Sequence, residues 1–135
     1  YRSPRLEFFH VPARFGYRPR HPRYHFLHGL VELGKGPTIS HGAANHPLVM
    51  KRLIEVAEKH KIPLQHEAVS RSTSTDADVI YTSRDGVACG LISIPLRYMH
   101  SPVEMVSLAD ARNAAKLAAA FIRSLEKGDT FRLLD

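Results

Sequence analysis

One ten-residue segment, 95–104, brings together several side chains that can do chemistry. Arg97 supplies a cation, Tyr98 a phenol, His100 an imidazole and Glu104 a carboxylate. A neutral imidazole in a loop can ligate a metal ion or act as a general base. The simpler interpretation is that His100 is a solvated loop side chain, and its residue type alone does not decide between the two.

A second polar segment contains Thr75 and Asp76. Both segments follow predicted strands, and ligands of open α/β sheets bind beyond the carboxyl ends of strands. We therefore expect the two loops to converge on one pocket at neighbouring strand ends. The alternative is structural: Thr75 and Asp78 have the spacing of a helix capping box, and Asp76 would then only favour a helix N-terminus.

Hydrophobic patterns predict the strands that position these loops. Residues 87–94 form a nearly continuous apolar run, which is typical of a strand buried on both faces, and Pro95 is expected to end it. Lys35 lies between two glycines, but the spacing of a phosphate-binding loop is absent, so residues 34–37 are predicted to form a turn. Further strands are expected at 30–33, 38–40 and 62–69.

Three helices are predicted from apolar spacing and capping residues. The first begins at Pro47 and buries one stripe of side chains (Val49, Leu53, Val56, Ala57). The second covers about 76–83. The third is capped by Ser107, ends at Lys127-Gly128 and has a broad apolar face (Ala111, Ala114, Ala115, Ala118, Phe121, Ile122, Leu125). The alternation of strands and helices predicts an α/β fold with a mostly parallel sheet flanked by helices.

The net charge of +6 is concentrated near the start of the 135-residue chain. Residues 1–28 hold six arginines, no lysine and one acid, Glu7, whereas the remainder is almost neutral. A basic, aromatic arm can bind nucleic acid or another acidic partner through phosphate contacts and stacking, although no nucleic-acid motif is present. The simpler interpretation is an irregular or extended arm over 1–28, followed by the α/β domain over 29–135.

The single cysteine, Cys89, lies inside an apolar run, which predicts a buried free thiol in a reducing compartment. No uncharged apolar stretch approaches the roughly 20 residues of a membrane helix. The first residues lack the apolar core of a secretory signal. These features predict a cytoplasmic protein that does not insert into a membrane.

Segment 93–104 closely resembles the C-terminal metal-site segment of the cobalt- or zinc-dependent aminopeptidases. That family includes the tetrahedral, glutamyl and deblocking aminopeptidases and proteins once labelled endoglucanase M. Other matching segments follow in the family's order and at about its spacing: Gly34-Lys35-Gly36-Pro37, the helix around 53–57, Ile62-Pro63-Leu64-Gln65, Thr75-Asp76-Ala77 and Gly86-Val87. The resemblance covers about residues 29–125 and implies the C-terminal part of a metallo-aminopeptidase catalytic domain.

The resemblance also implies roles for the residues singled out above. Such enzymes remove N-terminal residues from peptides with two adjacent divalent metal ions, zinc or cobalt, which polarise the carbonyl and activate a bridging water. The histidine matching His100 ligates one of the metals. Thr75 and Asp76 match a motif near the substrate pocket, and Arg97, Tyr98 and Glu104 would line that pocket or support the ligand. The implied partners are a peptide substrate and further copies of the chain in a homo-oligomer.

The chain also departs from the family pattern. The family's other ligands (a histidine, two aspartates and a glutamate) and its general-base glutamate lie upstream of the matched region. The arm does not resemble the family and looks like foreign sequence joined to it, and Ser74 stands where a glycine is usual. The sequence therefore predicts an incomplete metallo-aminopeptidase with little activity alone and no catalytic residue of its own. The alternative is a non-catalytic α/β module whose basic arm binds nucleic acid or an acidic partner.

Overall fold

A computed structural model describes the backbone of residues 5–12 and the residues 31–69, 72–84 and 86–131. Eight elements follow one another: β1 (Arg5–Pro12), β2 (Thr38–His41), α1 (Pro47–Lys59), β3 (Gln65–Ala68), α2 (Ala77–Ile80), β4 (Cys89–Arg97), β5 (Met105–Val106) and α3 (Leu108–Arg123). In this described part of the chain, no helix is both long and apolar enough to cross a membrane.

The strands form a mixed sheet in the order β1-β4-β2-β3, with the short β5 also paired to β4. β1 pairs with β4 in parallel over eight residues, and β2 pairs with β3 in parallel over four. These two parallel pairs are joined by an antiparallel contact, in which Thr38 and Ile39 of β2 lie opposite Ser93 and Ile92 of β4. The predicted α/β class, a sheet flanked by helices, is confirmed, but the sheet is mixed because β4 runs antiparallel to β2 and β5.

The core lies between the sheet and the inner faces of α1 and α3. The predicted stripe of α1 is confirmed, because Val49, Leu53, Val56 and Ala57 are all buried. β4 is buried on both faces over Cys89–Ser93, as its continuous apolar run predicts, and Cys89, the single cysteine of the chain, is fully buried. Pro95 and Leu96 are also buried, so the core anchors β4 close to the point where the next loop begins.

Several predicted boundaries were wrong. Residues 31–33 form no strand, because the chain there runs straight into the Gly34–Gly36 turn. β4 continues through Pro95 to Arg97: its pairing with β2 stops at Ser93, so the missing proline N–H breaks none of those bonds. β3 is shorter than expected, α2 has only four residues, and α3 ends at Arg123 instead of at Lys127-Gly128. The arm is extended over 5–12, where it forms β1, and its other residues lie outside the described part.

The buried face of α3 is rotated slightly from the predicted one. Ala114, Ala118 and Phe121 are buried as expected, but Ile122 is 62% exposed and Ala115 is also exposed. Leu117 and Ala120 take their places in the core. This difference arises because the many alanines of α3 leave the apolar face broad, so the sequence does not fix which side packs on α1 and β4.

The start of α3 holds a polar contact that ties distant parts of the chain together. Ser107 caps the helix as predicted, with its hydroxyl accepting the Asp110 amide N–H at 3.4 Å. The Asp110 carboxylate is fully buried and accepts the amide N–H groups of Gly34 at 2.7 Å and Gly36 at 2.8 Å. Gly36 has a positive φ of 101°, and a Cβ there would lie 2.2 Å from the Pro63 carbonyl oxygen. The turn thus depends on both the glycine and the buried acid.

Candidate functional site

The loop after β4 contains two residues in a left-handed conformation that non-glycine residues rarely adopt. Tyr98 has a φ of 58° and His100 a φ of 63°. Arg97 is the last residue of β4, and Tyr98 is 59% exposed. His100 is also exposed, so its imidazole lies at the surface of the described residues. The loop therefore leaves the buried strand abruptly and presents His100 outward.

Two hydrogen bonds close this loop. The amide N–H of His100 donates to the Glu104 carboxylate with a nitrogen–oxygen distance of 2.6 Å. The amide N–H of Ser101 donates to the Tyr98 carbonyl at 3.0 Å. Short bonds to a carboxylate are stronger than bonds between neutral groups. Glu104 thus contacts the backbone of the predicted metal ligand directly, although sequence spacing alone did not assign it that contact.

The Thr75–Asp76 segment is held by the carboxylate of Asp78. That carboxylate accepts the Ser72 hydroxyl at 2.5 Å, the Thr73 amide at 2.9 Å and hydroxyl at 2.8 Å, and the Ser74 amide at 2.9 Å. Ser74, like His100, is left-handed, with a φ of 56°. The predicted capping box is present only in part: the Thr75 hydroxyl oxygen accepts the Ala77 amide at 3.1 Å, but Asp78 reaches back into the loop instead.

The four bonds keep Asp78 charged. Burial acts to raise the pKa of its carboxyl, but the hydrogen bonds from Ser72, Thr73 and Ser74 outweigh burial and lower the pKa to about 2. The ordinary pKa of the group is 3.8, so the stability that these bonds supply is fully present above pH 3.8 and is lost as the pH falls towards 2. At neutral pH the carboxylate is a fixed acceptor for the loop.

The strands before the two loops do not run in the same direction, so the prediction that neighbouring strand ends bring the loops together was wrong in its premise. β4 runs antiparallel to β2, and β3 runs parallel to β2. The carboxyl ends of β3 and β4 therefore lie at opposite edges of the sheet, and strand direction gives no reason for the loops that follow them to meet. Placing Thr75, Asp76, Arg97, Tyr98, His100 and Glu104 in one site remains a prediction from the resemblance.

The described residues do not form a complete metal centre. They contain no group of three or more histidine, cysteine, aspartate or glutamate side chains able to hold a metal ion. A catalytic zinc ion needs about three protein ligands, so His100 by itself can supply only part of a site. No reaction step through a metal ion can be built from this part of the chain alone.

Comparison with known proteins decides the family. The sequence profile described as M42 glutamyl aminopeptidase matches residues 21–117, which is more than half of the chain. The chain belongs to this family. The match includes His100, the Thr75–Asp76 segment and the last residues of the predicted arm. It does not favour the alternative of a nucleic-acid-binding module.

Relatives of this M42 family member are consistent in sequence and in structure. A lysyl aminopeptidase of Pyrococcus furiosus is 46% identical over 98 residues, covering 73% of this chain and 28% of the relative. An aminopeptidase structure from the archaeon Desulfurococcus kamchatkensis is 38% identical, with a TM-score of 0.72 over 89% of this chain and 34% of that one. The TET1 peptidase of Pyrococcus horikoshii, described as assembling into a tetrahedron or a large octahedral shell, is 25% identical, with a TM-score of 0.63 over 90% and 34%. The chain thus spans about a third of the length of these proteins.

This M42 chain also has a cavity that the sequence analysis missed. The cavity has a volume of about 660 Å³ and is lined by residues of the β2–α1 loop and α1 (His41, Gly42, Ala43, Asn45, Pro47, Met50, Lys51, Ile54, Glu55). None of the predicted site residues line it. No motif marks this cavity in the sequence, because its walls are ordinary helix and loop residues, and it carries no role in the proposed site.

A pair of histidines lies beside this cavity. His41 Nε2 and His66 Nδ1 are 2.9 Å apart, and the ring planes are tilted by only 17° with centroids 5.2 Å apart. One ring nitrogen must donate and the other must accept, so at least one ring must be neutral for this bond to form. Burial and the neighbouring His66 ring lower the pKa of His41 below its ordinary 6.5, and burial also lowers the pKa of His46.

These histidines should make the fold less stable in mild acid. Because the folded-state pKa of His41 lies below the unfolded value, the unfolded chain binds more protons, and stability is lost as the pH falls below about 6.5. We expect the melting temperature to fall between pH 7.5 and pH 5.5, and to fall less in His66→Gln. His60→Gln, an exposed control on α1's C-terminus, should leave the pH dependence unchanged. Identical curves for His66→Gln and the unaltered chain would contradict the assignment.

Proposed function

We propose that this chain is the C-terminal part of a metal-dependent aminopeptidase catalytic domain, which removes N-terminal residues from peptides. The observation that carries the proposal is the family match over 21–117, which includes the loop that presents His100 beyond β4. In this proposal residues 29–135 are the catalytic-domain portion; of the basic arm over 1–28, residues 5–12 add strand β1 to the sheet of that domain and residues 21–28 fall within the family match. The matched relatives are aminopeptidases by name, which supports the reaction class.

The residues of this chain take the following parts. His100 donates one imidazole nitrogen to a metal ion, zinc or cobalt, in a centre of two ions. When bound, the ions polarise the scissile carbonyl and activate water. Thr75 and Asp76 contact the substrate pocket, while Arg97, Tyr98 and Glu104 form pocket wall or hold the ligand loop.

We further propose that this chain does not supply the whole catalytic centre. Only one candidate ligand lies in the described loops, so the remaining ligands and the general base have to come from additional polypeptide. Exposed apolar side chains adjoin the His100 loop, which supports a surface that further chain would cover (Tyr98, Val103, Met105, Val106, Leu108). A homo-oligomer in the cytoplasm completes the proposal, supported by the assemblies described for the Pyrococcus horikoshii TET1 peptidase.

Two measurements on the purified chain test this function. With Co²⁺ or Zn²⁺ and aminoacyl-anilide substrates, we expect little or no turnover; robust turnover that disappears in His100→Ala would show that the chain completes its own site. In NMR spectra, Co²⁺ should broaden the ring signals of His100 at lower concentration than those of His60, an exposed histidine at the C-terminus of α1. Equal broadening of both rings would contradict the metal-ligand role.

A further inference from the structure

The two loops of the proposed site share the same backbone hydrogen-bonding pattern. In each, a left-handed residue donates its amide N–H to a carboxylate four positions later: Ser74 to Asp78 at 2.9 Å and His100 to Glu104 at 2.6 Å. Neither donor is a glycine, so in each residue the Cβ lies close to the following carbonyl oxygen, which makes the backbone conformation unfavourable by itself. Such a conformation persists only where surrounding contacts impose it.

We propose that Asp78 and Glu104 are positioning residues, each locking the left-handed residue four positions upstream, so that Asp78 fixes the Thr75 hydroxyl and Glu104 fixes the direction in which His100 leaves β4. The roles given to Thr75 and His100 rest on the proposed function. The locks themselves rest on geometry alone.

The path from Asp78 to Thr75 follows from the direction of the hydrogen bonds. The Thr73 hydroxyl has one proton, which it donates to the Asp78 carboxylate at 2.8 Å. The 2.8 Å contact between the Thr73 and Thr75 hydroxyls must therefore use the proton of Thr75. The Thr75 oxygen then accepts the Ala77 amide. By accepting the Thr73 proton, Asp78 thus leaves the Thr73 oxygen to accept the proton of the Thr75 hydroxyl, which directs the rotation of that hydroxyl.

The path from Glu104 to His100 is shorter. The Glu104 carboxylate binds the His100 backbone itself, so it acts on the φ angle of that residue and not on the ring. The Ser101 amide bond to Tyr98 tightens the preceding turn but leaves the His100 amide to Glu104. Removing the carboxylate would free the residue to return to the common right-handed or extended regions, and the imidazole would change direction with it.

Amide exchange of the whole 135-residue chain, measured by NMR at pH 6, tests both locks separately. Because a bond to a charged acceptor is stronger than a neutral one, we expect Glu104→Ala to speed exchange at His100 about 10-fold or more and to leave Ser74 unchanged. Asp78→Ala should do the reverse. Glu104→Gln, which keeps an acceptor oxygen, should recover most of the protection, and Glu58→Ala on the exposed face of α1 should change neither loop.

A double variant distinguishes positioning from a general loss of stability. Glycine adopts a left-handed conformation at little steric cost, so Ser74→Gly should make the loop independent of its carboxylate. We expect Asp78→Ala to speed exchange of the Ala77 amide, and Ser74→Gly combined with Asp78→Ala to reverse part of that change, because glycine relieves the backbone at position 74 but does not restore the acceptor of the Thr73 hydroxyl. Overall destabilisation would instead speed exchange in both loops together, and that result would overturn the proposal.

The outcomes separate this inference from the function on which it rests. If each variant frees only its own loop, but Co²⁺ broadens His100 no more than His60, the locks are real and the metal-ligand role is wrong. If neither Glu104→Ala nor Asp78→Ala changes the exchange of its own loop, the locks are wrong whatever Co²⁺ does.

Discussion

Asp110→Ala is expected to lower the free energy of unfolding by about 2–4 kcal/mol, because it leaves one buried and one partly buried amide group without the carboxylate that both bind. Those amides belong to Gly34 and Gly36, and the carboxylate that binds them is fully buried. Small domains are stable by only about 5–15 kcal/mol in total, so this loss is large. Urea denaturation followed by circular dichroism measures it.

Two further variants make the Asp110 prediction specific. Asp110→Asn keeps one acceptor oxygen but turns an N–H₂ group towards a donor, so it should cost less than alanine and still be clearly destabilising. Glu58→Ala, an exposed acid on α1, should change stability by no more than about 0.5 kcal/mol. A loss for Asp110→Ala no larger than that for Glu58→Ala would mean that the buried contact does not hold the turn.

His100→Ala should abolish most activity once the catalytic domain is complete. The lysyl aminopeptidase of Pyrococcus furiosus supplies the additional polypeptide that the proposed function requires, since 98 residues of this chain align with 28% of that protein. In the chimera, the 98 aligned residues of this chain replace the corresponding segment of the lysyl aminopeptidase. We expect this chimera to hydrolyse aminoacyl-anilides. His100→Ala should then lower kcat/KM by about 100-fold or more, because even residues that only support a ligand cost 10–100-fold.

The chimera has a matched control in His60→Ala, which removes an exposed imidazole from the C-terminus of α1. That variant should retain full activity. A His100→Ala chimera as active as the His60→Ala chimera would show that the imidazole after β4 is not part of the catalytic centre. Circular dichroism of both variants checks that any loss does not come from unfolding.

The elements were predictable where periodicity is strong and local. Val49, Leu53, Val56 and Ala57 repeat at helical spacing, and the structure buries all four. The direction of β4 could not be predicted, because a continuous apolar run indicates that a strand is buried on both faces and does not indicate the direction of its neighbours. For that reason, strand order alone could not show whether the Thr75–Asp76 loop and the His100 loop lie at the same end of the sheet.

The contacts that fix the loops were beyond sequence reasoning for different reasons. Asp110 binds Gly36 and Gly34, which precede it in the sequence by 74 and 76 positions, and no local pattern marks such distant contacts. Asp78 had a plausible helix-capping role, but its carboxylate binds the preceding loop. Ser74 and His100 are left-handed without being glycine, so residue type gave no signal of the turn.

The metal content of the purified chimera tests the central claim most directly. Elemental analysis after dialysis against Co²⁺ should find two ions in each chain of the unaltered chimera and fewer in His100→Ala, with His60→Ala matching the unaltered protein. Full metal content in the His100→Ala chimera would contradict the account, because the imidazole beyond β4 would then hold no ion.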